Sequence, residues 1–199
     1  MSTLQLILAS ASPRRRDLLD QLGVSYQVDP ADIDETPRDR EAAGDYVERM
    51  AREKAACVAQ RHDMLDCVVL AADTTVVIDE DILGKPTDHF DGLGILARLS
   101  GRRHRVITAV CLQTRQSVEV RQVETGVNFV QLDRAVCEAY LATSEPWDKA
   151  GAYAIQGLGG AFVSSIDGSY SNVVGLPLTE TWRLLSASGI ATALEREHE

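Results

Sequence analysis

The spacing of hydrophobic and polar residues divides the chain into strands and helices from its first residues onward. Leu4 to Leu22 (LQLILASASPRRRDLLDQL) begins with a short apolar run, which predicts a strand, and continues through a Ser-Ala-Ser-Pro turn into a helix. Ser12 suits the N-cap of this helix, and Pro13 suits its first position, where the missing N–H is not needed. Gly23 suits the position just after the helix.

A longer helix is predicted from Ala42 to His62, where apolar residues recur at spacings of three and four and form one stripe. Lys54 falls on that stripe, four residues after Met50 and four before Val58. A lysine on a buried helix face either extends its amine to solvent or meets an anion. The pattern leaves both outcomes open for Lys54.

Cys67 to Ile78 (CVVLAADTTVVI) is a nearly unbroken apolar run, which is typical of strands that are buried on both faces. Asp73 interrupts this run. One interpretation is a turn or bulge between two strands, with Asp73 capping its own backbone. The other is a carboxylate held at a sheet edge as a general base or metal ligand. We favour the second, because both flanks are so strongly apolar.

The remaining elements follow from the same patterns, and a polar, proline-containing loop is predicted from Asp29 to Arg40. Further strands are predicted over Val24 to Asp29, Arg103 to Gln113, Val118 to Leu132, Ala161 to Ile166 and Ser171 to Val174. Further helices are predicted over Asp88 to Leu99, Asp133 to Ala142 and Pro177 to Ser188. Lys85 is expected to be exposed in a tight Gly-Lys-Pro loop.

The first helix starts with three arginines, although cations are unfavourable at the positive end of the helix dipole. Free backbone N–H groups and guanidinium groups at such a position together form an anion site, and phosphate is the obvious ligand. We expect Arg14 and Arg15 to bind an anion. Arg16 precedes Asp17 and Asp20, so we expect it only to solubilise the exposed helix end.

The Asp29 to Arg40 loop contains four carboxylates within seven positions, namely Asp29, Asp32, Asp34 and Glu35. Acidic loops are usually just solvated. Carboxylates near a phosphate site are also natural ligands for Mg²⁺, and Glu35 is the residue that we favour for that role.

Composition excludes several classes of protein. The 199 residues have a net charge of −10, so a nucleic-acid partner is not expected. The sequence contains no serine-hydrolase G-x-S-x-G and no P-loop motif. The four cysteines form no C-x-x-C pair and are expected to be free thiols in a reducing cytosol. With no signal peptide and no membrane span in the pattern, we expect a single cytoplasmic domain over residues 1–199.

Several motifs in order make the chain similar to the Maf-type nucleoside triphosphate pyrophosphatases over nearly its whole length. They are SASPRR (Ser10 to Arg15), DIDET (Asp32 to Thr36), REKA (Arg52 to Ala55), AADT (Ala71 to Thr74), GKP (Gly84 to Pro86), DKAGAYAIQG (Asp148 to Gly157) and GSYSNVVGLP (Gly168 to Pro177). The AADT and AYAIQG motifs resemble those of the branch of the family that acts on dTTP and UTP. Ala11 stands where many relatives have Gly, and we expect little consequence.

The resemblance implies an α/β fold with an elongated mixed sheet flanked by helices, two lobes with a central cleft, and a homodimer. It implies hydrolysis of a nucleoside triphosphate to the monophosphate and pyrophosphate with a divalent metal, Mg²⁺ or Mn²⁺. The roles that it implies are as follows: Asp73 is the general base; Ser10, Arg14, Arg15, Lys54 and Lys85 bind phosphate; Glu35 and Asp73 hold the metal; and Arg14, Thr74 and Gln156 select the base.

Two alternatives remain open from the sequence. One is a pyrophosphatase that prefers 7-methyl-GTP or another modified nucleotide. The other is a nucleotide-binding regulator of septum formation and cell division that binds through the same arginines without turnover. Asp73 argues against a pure binder, because a carboxylate beside a triphosphate weakens binding.

Overall fold

The computed structural model describes residues 4–195 as an α/β protein with a mixed, open sheet of seven strands flanked by helices. The fold class predicted from the sequence is confirmed. The strands are β1 Gln5–Leu8, β2 Tyr26–Val28, β3 Cys67–Ile78, β4 Asp81–Leu83, β5 Arg103–Gln113, β6 Val118–Phe129 and β7 Val163–Asp167. The helices are α1 Pro13–Gln21, α2 Ala43–Ala59, α3 His89–Leu99, α4 Arg134–Leu141, α5 Tyr170–Val174 and α6 Leu178–Ala187.

The strands are ordered β2-β1-β3-β5-β6-β7, and β4 pairs with β3 outside this path. β1 is parallel to both β2 and β3, whereas β4 is antiparallel to β3 and β7 is antiparallel to β6. The sheet is therefore mixed. Its parallel part follows the order 2-1-3, which belongs to doubly wound α/β folds.

The chain forms two compact units, and the strands β3, β5 and β6 contribute residues to both of them. The first unit contains residues 4–73, 108–123 and 175–195, and the second contains residues 74–107 and 124–174. The expectation of one domain over the whole chain stays a prediction.

The first unit buries the apolar residues of β1 and the inner faces of α1 and α2, with Ile7, Leu19 and Met50 all essentially inaccessible to solvent. The predicted start of α1 is confirmed, since Ser12 is its N-cap residue and Pro13 opens it. Gly23 follows the helix with a φ of 65°, a left-handed conformation that glycine adopts without steric cost.

Asp73 lies inside one continuous strand, β3, and its residue is only 6% exposed. The interpretation of a turn or bulge between two strands is therefore wrong. β3 has neighbours on both sides, β1 and β5. The apolar residues before and after Asp73 keep their strand pairing, and this pairing outweighs the turn preference of a single aspartate.

The second unit packs around an aromatic cluster of Phe129, Tyr140, Tyr153 and Phe162, in which neighbouring rings meet edge to face. The helices α3 and α4 cover this cluster. Both begin as predicted, because Asp88 and Asp133 accept hydrogen bonds from backbone N–H groups three residues later.

The strand predicted from Ser171 to Val174 is wrong, because these residues belong to the short helix α5. Ser169 Oγ accepts a hydrogen bond from the Asn172 N–H at 3.2 Å and so caps the first turn. The Asn172 amide donates to Val106 O at 3.0 Å and to Thr125 Oγ1 at 2.9 Å, which fixes α5 against the sheet.

The sequence analysis did not predict β4. β3 and β4 form a hairpin in which Ile78 pairs with Asp81, so the loop has two residues. Those residues, Asp79 and Glu80, have φ angles of 52° and 65°. Such a turn usually carries Asn or Gly, and the absence of both removed the signal.

Two further observations bear on the class of protein. No helix within residues 4–195 is both long and apolar enough to cross a membrane. The cysteines are free thiols, as expected: Cys67, Cys111 and Cys137 are buried, and Cys57 is half-buried.

Candidate active site

The predicted site residues of the first unit gather where the parallel strands β1 and β3 end. Leu8 pairs with Leu70, and the Ala9 N–H donates to Leu70 O at 2.8 Å, so β3 extends past the end of β1. Ser10 follows β1 directly, and Asp73 lies on this extension of β3. Since the strand order changes direction between β1 and β3, this is the edge where open α/β sheets bind ligands.

The turn between β1 and α1 orients Arg15. Ser10 Oγ accepts hydrogen bonds from the Ser12 N–H at 3.3 Å and from Arg15 Nη1 at 3.1 Å. Arg15 Nε donates to Gly175 O at 2.8 Å. Gly175 has a φ of 123°, which only glycine adopts readily, so its carbonyl is held by backbone geometry. The Arg15 guanidinium is therefore fixed at two points.

Arg15 and Arg14 concentrate positive charge at the start of α1. Burial lowers the pKa of Arg15, the Asp73 carboxylate raises it, and Arg14 lowers it further. The ordinary pKa of an arginine is 12.5, so the Arg15 guanidinium stays protonated at neutral pH. The side chain of Ser12 makes no cap hydrogen bond with the helix backbone. This helix start thus combines two guanidinium groups with the positive end of the helix dipole, as an anion requires.

Lys54 connects two carboxylates. Its Nζ lies 2.7 Å from Asp73 Oδ1 and 2.7 Å from Glu35 Oε1. The side chains of Lys54 and Asp73 are 10% and 9% exposed, and that of Glu35 is 46% exposed. Of the two outcomes that the sequence left open, Lys54 meets anions within the protein and does not extend to solvent.

Asp73 is more basic than an ordinary aspartate. Burial raises its pKa, Lys54 and Arg15 lower it, and the charge of Glu35 raises it again, with a net increase above 3.8. Opposing effects of this kind on a buried carboxylate are characteristic of functional sites. A carboxylate with a raised pKa is a better proton acceptor than one in water.

The acidic loop is anchored to α2, which places Glu35 beside Lys54. The Tyr46 hydroxyl donates to Glu35 O at 2.9 Å, and Arg49 Nη2 donates to Thr36 O at 3.2 Å. Arg49 also binds Glu41 through two nitrogens, at 2.6 and 2.7 Å. The loop is irregular over its length, but α2 holds it at Glu35 and at Thr36 and Glu41, which follow.

Thr74, Lys85 and Gln156 belong to the second unit. Thr74 is half-buried in β3. Lys85 is exposed, as expected, in a loop whose Gly84 carbonyl accepts a hydrogen bond from the Gly151 N–H at 3.1 Å. Gln156 is exposed in the segment between Tyr153 and Phe162. The first unit therefore brings together Ser10, Arg15, Lys54, Asp73 and Glu35, whereas these three residues belong to separate segments of the second unit.

The carboxylates of the first unit fit the divalent metal that the family resemblance implies. Asp73 and Glu35 direct oxygens at one point, the Lys54 amine. Residues 4–195 contain no group of three or more Asp, Glu, His or Cys residues arranged to hold a metal. A pair of carboxylates fits Mg²⁺, which takes one or two carboxylates and completes its shell with phosphate oxygens and water.

Sequence reasoning assigned no role to three residues that orient this site. Tyr46 and Arg49 fasten the acidic loop, and the Gly175 carbonyl fixes Arg15. The last of these could have been suspected, because Gly175 lies in one of the recognised motifs. Tyr46 and Arg49 gave no signal, since tyrosine and arginine are ordinary residues on a helix.

Comparison with known proteins places the chain in a family. The family model described as Maf-like protein matches residues 5–188. A dTTP/UTP pyrophosphatase of Shewanella oneidensis is 54% identical over 194 residues, covering 94% of this chain and 100% of the relative. Proteins of the same name from Myxococcus xanthus and Methylobacillus flagellatus are 54% and 50% identical, covering 93% and 94% of this chain and the same shares of the relatives. The chain belongs to the Maf family.

Proposed function

We propose that this protein hydrolyses dTTP and UTP to the nucleoside monophosphate and pyrophosphate. The observation that carries the proposal is the arrangement around Lys54, where Asp73 and Glu35 each lie 2.7 Å from the amine and Arg15 is fixed nearby. Relatives about half identical over their full length are named dTTP/UTP pyrophosphatases, which supports the choice of substrate.

The proposed reaction is an in-line attack of water on the α-phosphorus. A bond forms between the water oxygen and the α-phosphorus, and the bond to the bridging oxygen of the β-phosphate breaks, so pyrophosphate leaves. Asp73 is the proton acceptor in this proposal, because it is buried and more basic than an ordinary aspartate. Arg14, Arg15, Lys54 and Lys85 offset the charge of the triphosphate, and Ser10 donates to it.

Glu35 and Asp73 are the residues that would hold Mg²⁺ or Mn²⁺. When bound, such a cation neutralises charge that develops on the phosphate oxygens. The chain's own part is to supply the carboxylates and to hold them in place. Lys54 binds both, and the anchored loop limits the movement of Glu35.

Gln156 is proposed to select the base, together with Thr74 and Arg14. A glutamine amide has both a donor and an acceptor, so it can pair with the O4 and N3–H of uracil or thymine. Gln156 is exposed at the tip of its segment and is therefore available to a ligand.

The test is an assay of pyrophosphate and monophosphate release from each common nucleoside triphosphate and from 7-methyl-GTP, with Mg²⁺ or Mn²⁺. We expect kcat/KM to be highest for dTTP and UTP. A higher value for 7-methyl-GTP would replace the proposed substrate.

Calorimetric binding of nucleotide with no product after hours would instead support a regulator without turnover. The homodimer is also a proposal, and sedimentation of the purified protein with and without nucleotide tests it. The cytoplasmic location stays a prediction from the sequence.

A further inference from the structure

The segment that carries Gln156 is a tight turn with a defined hydrogen bond. The Gly157 N–H donates to Ala154 O at 3.2 Å, so Ile155 and Gln156 are the central residues of a β-turn. A short 3-10 helix, Leu158–Phe162, follows. Gln156 thus lies at the tip of a structured turn, where the backbone directs its side chain.

Both ends of this turn are held by a pair of side chains, Tyr140 and Glu145. The Ala154 N–H donates to the Tyr140 hydroxyl at 3.1 Å, which fixes the first end. The N–H groups of Leu158 and Gly159 donate to Glu145 Oε2 and Oε1, each at 2.9 Å, which fixes the second.

The two side chains are also joined to each other, because the Tyr140 hydroxyl donates to Glu145 Oε1 at 2.7 Å. We call Tyr140 and Glu145 the clasp.

The packing around the clasp leaves no room for adjustment. A Cβ atom on Gly157 would lie 2.2 Å from Glu145 Oε2, and one on Gly159 would lie 2.8 Å from the Tyr140 hydroxyl. Both glycines are therefore required by contact with the clasp, not by their φ angles. In the structure they allow a carboxylate to approach the turn closely.

The Glu145 carboxylate is held in its charged form. Burial opposes ionisation, but hydrogen bonds from the Gly159 N–H, the Tyr140 hydroxyl and the Leu158 N–H hold the pKa of Glu145 below its ordinary value. Lys149 adds to this effect, since its amine lies near and donates to Glu145 O at 2.8 Å. A fully ionised, three-fold hydrogen-bonded acceptor is a rigid anchor for the turn.

We infer that the Tyr140–Glu145 clasp positions Gln156 and thereby sets the preference of this enzyme for a uracil-type base. The clasp acts through the backbone of the turn and does not itself touch the substrate, so Tyr140 and Glu145 are positioning residues. This inference rests on the proposed function. It assigns a part in base selectivity to Tyr140 on α4 and to Glu145 in the segment after α4. Both residues lie outside the motifs that carry the family resemblance.

The experiment compares kcat/KM for UTP and CTP in the wild type and in Glu145→Gln. CTP is the sharpest competitor, because its ring is the same size but exchanges donor and acceptor at the edge that Gln156 would read. Glutamine keeps the size of the side chain but turns an N–H₂ group toward a backbone N–H. We expect the UTP/CTP ratio to fall by about tenfold, mainly through the value for UTP. Tyr140→Phe removes the hydrogen bond from the Ala154 N–H at the first end and the bond that joins Tyr140 to Glu145, and it should lower the ratio in the same direction.

The double variant Glu145→Gln with Gln156→Ala separates positioning from general damage. If the clasp acts through Gln156, the double variant has the same UTP/CTP ratio as Gln156→Ala alone. The matched control is Glu138→Gln, because Glu138 lies on α4, pairs with Arg134 at the surface and should leave the ratio unchanged. Amide hydrogen exchange should accelerate at Leu158 and Gly159 in Glu145→Gln, and it should stay unchanged in Glu138→Gln.

The outcomes distinguish this inference from the proposed function. If the wild type releases no pyrophosphate, or hydrolyses UTP and CTP equally, the proposed function or its selectivity is wrong and the inference is overturned with it. If the wild type prefers UTP and Glu145→Gln keeps the same ratio, only the inference is overturned. Equal loss of rate with both nucleotides would also overturn it, since that indicates a merely structural role.

Discussion

Asp73 in the first unit and Glu145 in the second are both partly or wholly removed from water, yet their surroundings act on them in opposite directions. Burial raises the pKa of Asp73, and its partners are charged groups, Lys54 and Arg15. Burial also opposes the ionisation of Glu145, but two N–H groups and a hydroxyl, with a smaller contribution from Lys149, hold its pKa below the ordinary value. The comparison shows that fixed dipoles can satisfy a carboxylate completely, whereas burial among charges leaves one reactive.

The buried polar groups of the two units differ in a similar way. In the first unit Lys54, Arg15 and Glu35 surround Asp73 with charges of both signs. In the second unit the aromatic cluster contains a buried neutral histidine, His104, whose Nε2 lies 2.9 Å from the Tyr153 hydroxyl. We expect substitutions in the charged group around Asp73 to affect the rate, and substitutions at the clasp or at His104 to affect selectivity or stability.

The largest expected effect comes from Asp73→Asn. The amide cannot accept a proton, so kcat should fall by about 10⁴-fold, at the upper end of the range for a general base. The free energy of unfolding should stay the same or increase, because the variant no longer buries an ionised group. Pyrophosphate release and urea unfolding measure the two quantities.

The control for Asp73→Asn is Asp39→Asn, since the Asp39 side chain is 96% exposed. It removes a carboxylate of the same unit without affecting the site. If Asp73→Asn keeps full activity, Asp73 is not the proton acceptor, and the contrast between the two carboxylates has no catalytic meaning.

Lys54→Met should lower kcat/KM by about a thousandfold, because it removes the cation shared by Asp73 and Glu35 and one neutralising group for the triphosphate. Lys54 lowers the pKa of Asp73, so its loss should raise that pKa further. The acid limb of the kcat/KM profile therefore moves to higher pH. An unchanged acid limb would mean that another group limits the rate.

Much of the first unit could be predicted from the sequence, because its signals are local. The cap at Ser12, the apolar stripe of α2 and the apolar run around Asp73 are patterns within one element. What the sequence could not give was the distance from Lys54 to Asp73, because this contact joins residues 19 positions apart through the packing of α2 on the sheet.

The second unit was harder to predict, because its decisive contacts are between backbone and side chains of separate segments. The clasp joins Tyr140 and Glu145 to the backbone of Ala154, Leu158 and Gly159, and no residue pattern signals such contacts. α5 was assigned as a strand, because Ser-Asn-Val-Val is rich in strand formers and too short for a helical period. The Ser169 cap decided its conformation.

His104→Gln tests whether the buried His104 side chain of the second unit is uncharged in the folded protein. Burial lowers the pKa of His104 to about 4, from an ordinary value of 6.5. Between these values the unfolded chain takes up a proton that the folded protein does not, so stability falls as the pH is lowered through that window. The loss is up to about 3 kcal/mol. His104→Gln should flatten this part of the curve from urea unfolding, whereas His89→Gln, at an exposed position, should not.

The smallest expected effect concerns the acidic loop of the first unit. Arg49 binds Glu41 through two nitrogens and donates to Thr36 O, and it holds the pKa of Glu41 at about 2. Lysine cannot reproduce this fork, so Arg49→Lys should destabilise the protein by about 1 kcal/mol.

The effect of Arg49→Lys on the site should appear in the metal dependence of the rate. A loosened loop holds Glu35 less firmly, so the Mg²⁺ concentration for half-maximal activity should rise by about threefold at unchanged UTP/CTP selectivity. The matched control is Arg52→Lys, whose partner Glu48 lies on the same helix at the surface. A change in selectivity without a change in Mg²⁺ dependence would contradict the separation of the two units, because it would make the charged loop a determinant of base choice.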